Sequence, residues 1–386
     1  MKITLIHYTY APIVGGVEIV LAEHARLFAD HGHEVTVLCQ RGASLDPRIQ
    51  IRQIPSSDHP ETLTAFLSAT LENQSVVFLH NLATMPFHLP LTKALWEVAT
   101  QLLHTRFIAW IHDIAHCHPD YASTTIPNAS GRILNQAHPR YEFIAISELR
   151  RRQWTELTGA PCEIIPNGLN PSRCLGLSPS IAHLASQHQL FDREILLLHP
   201  TRLLRRKNLE LGLHVVSALQ SSGRSVAYLI TGPPDEHNPR SREYVAELLQ
   251  LRTQLHLTNE AIFLHEETPV GDHDLASLFT LADALFFPSR QEGFGLPILE
   301  AALHRLPIFT ADIEPLNTIL QHGIHHFHLD DPPQKIATQI IDKLASTASW
   351  QANTQVRHQY AWSAIYKKYL APLLARKHSR SLLLSS

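Results

Sequence analysis

Two carboxylates eight positions apart open the functional reading. Glu292 and Glu300 frame the segment Glu292-Gly293-Phe294-Gly295-Leu296-Pro297-Ile298-Leu299-Glu300, which follows a short apolar run at residues 284–287 and the pair Pro288-Ser289. Pro297 suits the first turn of a helix. Glu292 therefore falls on a loop at the carboxyl end of a strand, and Glu300 falls inside the helix that follows. In open α/β sheets ligands bind at this edge. Two carboxylates there can reach different hydroxyls of one extended polar ligand, and the glycines let backbone N–H groups approach it. An ordinary strand-to-helix corner with solvated acids stands beside that reading.

Cations and a histidine stand at comparable corners. Arg202 and Lys207 lie just past the apolar run 195–198, beside Arg205 and Arg206. Arginine grips phosphate through two parallel N–H donors and lysine supplies a compact charge; a solvated basic loop is the alternative, and Arg205 and Arg206 read as surface charges. Gly15 and Gly16 follow the first strand and open a helix, whose N-terminal N–H groups and dipole favour an anion. Many strand-to-helix turns carry such glycines, and the full G-x-G-x-x-G of dinucleotide sites is missing. His112, in Trp110-Ile111-His112-Asp113, follows the run 107–111. Histidine donates or accepts near neutrality; Asp113 either orients it or caps the next turn. A core or surface histidine is the alternative.

These residues need a scaffold, and the sequence describes an α/β one. Short β-branched runs alternate with helical stretches, which argues for parallel α/β units. Residues 3–7, 35–38, 76–79, 107–111 and 143–146 read as one series of strands. Residues 195–198, 226–230, 262–264, 284–287 and 308–309 read as a second. The spacing of Val17, Val20, Leu21, His24, Leu27 and Phe28 predicts a helix with one buried face, closed near Gly32. Residues 171–192 have the Pro-, Gly-, Ser-, His- and Gln-rich composition of a linker. The expected architecture is two Rossmann-like domains facing across a cleft: residues 1–170, a linker at 171–192, and residues 193–362.

The bulk properties narrow the classes. The chain has 386 residues and a net charge of -3 with His neutral, which suits two domains and gives no general attraction to nucleic acid or anionic lipid. Its four cysteines are scattered, with no CxxC pair, as in a reducing cytosol. The start turns polar too soon for a signal peptide, and no run approaches the ~20 apolar residues of a membrane helix. A cytoplasmic protein is expected, with weak peripheral membrane contact through Arg150-Arg151-Arg152 left open against a solvated helix start. Histidine is abundant at 27 residues. His112, Asp113, His116, Cys117 and His118 form one group, and His322, His325, His326 and His328 another; a metal site is the sharp reading, and histidine at ordinary polar positions is the expected one.

Taken together, the segment 292–300, Gly15-Gly16-Val17-Glu18, Pro166-Asn167-Gly168, Arg202 with Lys207, and Trp362 resemble, in order, the elements of retaining glycosyltransferases of family 4, which have the GT-B fold. The resemblance spans nearly the whole chain. It implies that residues of about 363–386 cross back to complete the first, acceptor-binding domain, while 193–362 hold the nucleotide sugar. It assigns His112 and Glu292 to the donor sugar, Arg202 and Lys207 to its diphosphate, Gly15 and Gly16 to the phosphates, Phe294, Gly295 and Leu296 to backbone contacts, and Glu300 to the ribose. The base is expected near Thr231-Gly232-Pro233 and His265-Glu266-Glu267-Thr268. Asn317-Thr318 stands where the family carries an acid.

The implied reaction is front-face transfer of one hexose from a UDP-glucose-like or GDP-mannose-like donor to a hydroxyl of a sugar, a lipid-linked sugar or a small metabolite, as in polysaccharide biosynthesis. No metal or other cofactor is expected, because no D-x-D stands at a strand end and Arg202 with Lys207 can carry the phosphate charge. No pair of carboxylates suggests the double displacement of retaining glycosidases. The rival readings are a sugar-nucleotide epimerase, a metal-dependent hydrolase using the histidines near 112, and a nucleotide-binding module without turnover.

Overall fold

A computed structural model describes residues 1–44, 46–121, 131–235, 240–267 and 269–376. The chain divides into two compact units, Met1–Gly168 with Trp362–Ser386, and Leu169–Ala361. Residues 377–386 of the expected crossing segment lie outside the described residues.

The first unit holds a seven-stranded parallel sheet of β1 (Lys2–Ile6), β2 (Glu34–Cys39), β3 (Ile49–Gln53), β4 (Val76–His80), β5 (Arg106–Ile111), β6 (Tyr141–Ala145) and β7 (Glu163–Ile164), in the order β3-β2-β1-β4-β5-β6-β7. The second holds a six-stranded sheet of β8 (Ile195–His199), β9 (Val226–Ile230), β10 (Ala261–Phe263), β11 (Ala284–Phe287), β12 (Ile308–Ala311) and β13 (Ile324–Phe327), in the order β10-β9-β8-β11-β12-β13. Every pairing in both sheets is parallel. Central strands such as β4, β5, β8 and β9 are buried along their whole length. That is why they read as apolar runs: helices cover both faces of a parallel sheet.

In each sheet the order reverses once, beside β1 and beside β8. In the second unit the helix after β8, Leu209–Ser221, packs into the core on one face with Tyr228 and Phe286, while the helix after β11, Leu296–Leu303, packs into the other with Leu285 and Phe287. The two connections thus diverge at their carboxyl ends and leave a crevice there, as doubly wound sheets do.

Three expectations are corrected. Residues 171–192 belong to the second unit and are not a linker: the helix Pro179–Gln187 buries Ile181, Leu184 and Ala185 against Leu278 and Leu281, an i, i+3, i+4 face hidden within a polar composition. Trp362 belongs to the first unit. The strands β3, β7 and β13 were not expected; they are edge or near-edge strands, short and polar.

The C-terminal helical stretch is broken where the chain passes between the units. The helix Ala348–Tyr360 ends at Ala361, which is extended, and helix resumes at Trp362–Ile365. A π turn, Tyr366–Leu370, follows directly ahead of Pro372, which lacks an N–H for the regular ladder. Trp362 packs on Gly168: a Cβ there would stand 2.5 Å from the indole. Two of the sequence elements, Pro166-Asn167-Gly168 and Trp362, therefore meet in one contact.

Arg357 fixes the same helix to the second sheet. Its Nη2 donates to both oxygens of Asp283 at 3.2 and 3.1 Å, and Asp283 Oδ2 also accepts from the Leu196 backbone at 2.8 Å. Both side chains are buried, and burial pushes the Asp283 carboxyl upward against the pull of Arg357. Replacing Arg357 with Leu strands that acid, and should cost ~3–5 kcal/mol in urea unfolding. Adding Asp283→Asn should recover part of the loss; a single variant as stable as the parent would show that the pair holds nothing.

Candidate functional site

The crevice of the second unit is built from the loops after β8 and β11. The first runs through Thr201 and Arg202 into a single 3₁₀ turn, Arg205–Lys207, and enters its helix through Asn208 in the left-handed region (φ 54°). The turn buries Lys207 while Arg205 and Arg206 stay exposed. The second loop reaches its helix through Gly295 at φ 104°, where only glycine is unstrained and where a Cβ would stand 2.8 Å from Leu316. Pro297 occupies the first helical turn, as expected.

The two loops are laced together by charge. The Lys207 ammonium donates to Glu292 Oε1 and lies 5.1 Å from the Phe287 ring centre. Ser289 Oγ donates to the same oxygen at 2.6 Å, and Arg206 Nη1 donates to Oε2 at 3.3 Å. The Lys207 and Glu292 side chains are only 11% and 7% exposed, so water screens the pair weakly. Burial lowers the Lys207 pKa, and the Glu292 carboxylate opposes that shift. Arg290 adds two ties, from its guanidinium to Asn208 Oδ1 at 2.8 Å and from its backbone N–H to Arg206 O at 2.7 Å.

In front of this pair lies a cavity of about 670 Å³. Arg202, Arg206 and Lys207 line one side; Leu296, Pro297 and Glu300 line another; Thr231-Gly232-Pro233 and His265 complete the wall. The side chains of Arg202 and Glu300 have no polar partner among the described residues. On the wall itself three cations stand with one carboxylate, Glu300, which leaves the cavity suited to an anion. Glu292, Phe294 and Gly295 are not on the cavity wall, so of the expected donor residues in this unit Arg202, Lys207, Leu296 and Glu300 are brought together there.

Several residues stand elsewhere than expected. Arg206 is part of the charge cluster, not an idle surface charge, and Ser289 buttresses Glu292. Glu266 pairs with Arg252 at 3.3 Å and Glu267 with His188 at 2.7 Å, so neither faces the cavity; Thr268 lies outside the described residues. Asn317 donates to Asp312 at 3.1 Å. The second histidine group is dispersed along an edge strand, with His325 stacked on Phe309.

The reversal in the first unit holds histidines. His7 follows β1, His80 ends β4 and His112 follows β5. His7 Nδ1 lies 2.9 Å from His80 O, and His80 Nδ1 lies 3.1 Å from His112 Nε2. Asn81 Oδ1 accepts the backbone N–H groups of His112 and Asp113 at 2.8 and 3.0 Å. Asp113 does not orient the His112 ring: it pairs with Arg150 at 2.8 Å, which also donates to His112 O at 3.0 Å. Arg150 is thereby tied into the loop rather than offered to a membrane. Behind His80, His24 is fully buried, its ring centre 4.7 Å from that of Trp110 and 5.4 Å from that of Trp362. Burial lowers the pKa of all four histidines, to about 3 for His24 and His112. At Gly15, the helix N-terminus faces a carboxylate of its own: a Cβ on Gly15 would stand 2.1 Å from Glu18 Oε2, and Thr9 Oγ1 donates to Glu18 Oε1. Among the described residues no three His, Cys, Asp or Glu side chains converge as a metal-binding group.

Two family models match in tandem: Glycosyltransferase Family 4 over residues 14–173 and Glycosyl transferases group 1 over residues 181–358. The chain belongs to the family 4 glycosyltransferases of GT-B type. Its relatives include the O-antigen chain mannosyltransferase RfbU of Salmonella typhimurium, 31% identical over 119 residues, a match covering 31% of this chain and 33% of that one. The D-inositol 3-phosphate glycosyltransferase of Thermobispora bispora is 23% identical over 386 aligned positions, covering 91% and 87%. Among solved structures, Anabaena Alr3699/HepE in complex with UDP and glucose superposes with a TM-score of 0.40 at 19% identity, covering 97% and 100%. None of the helices in the described residues is long and apolar enough to cross a membrane.

The buried histidines set an acid limit on the first unit. His24 stays neutral in the fold until about pH 3, whereas in the unfolded chain it takes up a proton below its ordinary value near 6.5. Its contribution to stability is complete above about 6.5 and is lost as pH falls toward 3, by about 1.4 kcal/mol per pH unit within that window. His24→Leu should flatten the fall in stability between pH 6 and pH 4 by about one proton's worth. An unchanged slope in pH-dependent urea unfolding would show that His24 does not bear this load.

Proposed function

We propose that the protein transfers one hexose from a nucleoside diphosphate sugar to an acceptor hydroxyl, with retention at the anomeric carbon and without a metal. The observation that carries this reading is the cavity at the β8/β11 reversal, which sets Arg202, Arg206 and Lys207 against Glu300. The cations take the diphosphate, and Glu300, which has no polar partner among the described residues, takes the ribose hydroxyls. Thr231-Gly232-Pro233 and His265 flank the base. Glu292 and the backbone from Phe294 to Leu296 hold the sugar, with Glu292 steered by Lys207.

As the bond from the sugar C1 to the phosphate oxygen breaks, negative charge gathers on the leaving diphosphate. Fixed cations at that point lower the barrier without reorganising. The acceptor oxygen bonds to C1 on the face the phosphate leaves, and its proton passes to a phosphate oxygen. His112 has the sugar-contacting role that the family resemblance gives it. Gly15 and Gly16 act as backbone donors to the phosphate, with the Glu18 carboxylate turned away when it arrives. UDP-glucose-like and GDP-mannose-like donors both fit, and the acceptor is a sugar, a lipid-linked sugar or a small metabolite. Four unpaired cysteines support a cytoplasmic setting.

Two measurements test this. Thermal stability with UDP, GDP, ADP, dTDP and CDP, with and without EDTA, should rise for one nucleotide regardless of chelator. A ligand at 100 times its Kd adds ~2.7 kcal/mol, a shift of a few degrees. No shift with any nucleotide would overturn the reading. Lys207→Ala should weaken binding of that nucleotide and cut turnover on the order of 100-fold; unchanged affinity by calorimetry would remove Lys207 from the phosphate.

A further inference from the structure

We infer that His80 is a positioning residue that holds His112 as its Nδ1–H tautomer, so that His112 meets the donor hexose as a hydrogen-bond donor to a hydroxyl oxygen and not as a base. This rests on the sugar-contacting role proposed for His112. Three observations carry it. The His80 Nδ1 to His112 Nε2 contact is 3.1 Å, between rings exposed by 0% and 4%. His80 Nε2 is buried without a hydrogen-bond partner among the described residues. His112 Nδ1 has no partner among the described residues, which makes it the ring nitrogen left for a ligand.

Both rings are neutral in this setting, so the contact holds one proton. If His112 Nε2 donated it, the proton of His80 would sit on Nε2, as a buried N–H with no acceptor. Orphaned buried N–H groups are rare and costly. If His80 Nδ1 donates, His80 Nε2 keeps only a lone pair and the proton of His112 moves to Nδ1. The second arrangement leaves no unmet donor on His80 and turns the His112 N–H to the nitrogen left for a ligand. The β4–β5 pairing holds it in place: His80 pairs with Trp110, two residues before His112, and Asn81 grips the His112 backbone. An Nδ1–H cannot accept the proton of the attacking hydroxyl, which matches its transfer to the phosphate.

The test begins with the unliganded full chain, with ¹⁵N-labelled histidine, in long-range ¹H–¹⁵N correlation spectra at neutral pH; His112→Gln identifies the His112 signals. Protonated Nδ1 and bare Nε2 at His112 are expected. Protonated Nε2 at His112 overturns the proposal, and this outcome needs no substrate, so it is separate from any failure to turn over a nucleotide sugar. His80→Asn keeps an N–H donor near the Nδ1 position and should retain kcat within about threefold, while His80→Leu should lower kcat by roughly tenfold, the worth of one hydrogen bond. Nucleoside diphosphate affinity should stay unchanged in both. An Asn variant as impaired as a folded Leu variant, or a Leu variant with full rate, would overturn the positioning role.

Discussion

A parallel sheet sends every strand's carboxyl end to the same edge, and a doubly wound sheet must reverse its order once. At that reversal the two outgoing connections leave for opposite faces, so the edge between them cannot be filled by the fold itself. In the second unit those connections follow β8 and β11, and their helices pack into separate cores. Everything chemical in this unit follows from that opening. It is where backbone N–H groups at helix starts are exposed, and where charges can converge from segments far apart in sequence.

The opening is held at a defined width by Lys207 and Glu292, 85 residues apart. A buried ion pair of this kind is weak evidence for stability, because desolvation offsets the attraction. Its value here lies in position. Glu292 is satisfied by Lys207, Arg206 and Ser289, so it is held in one orientation. Burial pulls the Lys207 pKa down, and the neighbouring carboxylate opposes that shift. In the function proposed above, a diphosphate beside Arg202 meets cations already in place, and its charge adds to a cluster whose negative member is fully engaged. Preorganisation of this sort lets fixed charge favour a leaving group more than a ground state.

Much of this was legible in the sequence, and the rest was hidden for physical reasons. Central strands such as β5 and β8 bury both faces, so they appear as continuous apolar runs. The edge strands β3, with Gln50 and Arg52, and β13, with His325 and His326, carry no such signal because one side of each meets fewer neighbours. The helix Pro179–Gln187 was masked by serine and histidine on its outer face, although Ile181, Leu184 and Ala185 keep helical spacing. Arg202 and Lys207 were visible through their place just past a strand, and Glu300 through its spacing from Glu292 inside the next helix. The pairing of Lys207 with Glu292 was not, since nothing local in either segment encodes a partner 85 residues away. Arg206 is a surface charge, as the sequence suggests, but it also reaches Glu292, a contact that nothing in the run of basic residues signals.

The same reversal in the first unit brings together histidines where the second brings arginine and lysine. His7, His80 and His112 come from the ends of β1, β4 and β5, with His24 behind them against Trp110 and Trp362. Burial holds these rings neutral, so this edge contributes directional hydrogen bonding in place of charge. The two units thus offer different chemistry, fixed charge in the second and directional hydrogen bonding in the first. Charge is best met by fixed cations, and hydroxyls by donors and acceptors whose direction is set in advance. Trp362 extends the argument to the chain path. It is the first residue of the segment that returns to this unit, and it packs on both Gly168, the last residue before the chain leaves, and the buried end of the histidine column. The point of exit, the point of return and the polar edge of the first sheet are therefore joined by a single indole ring.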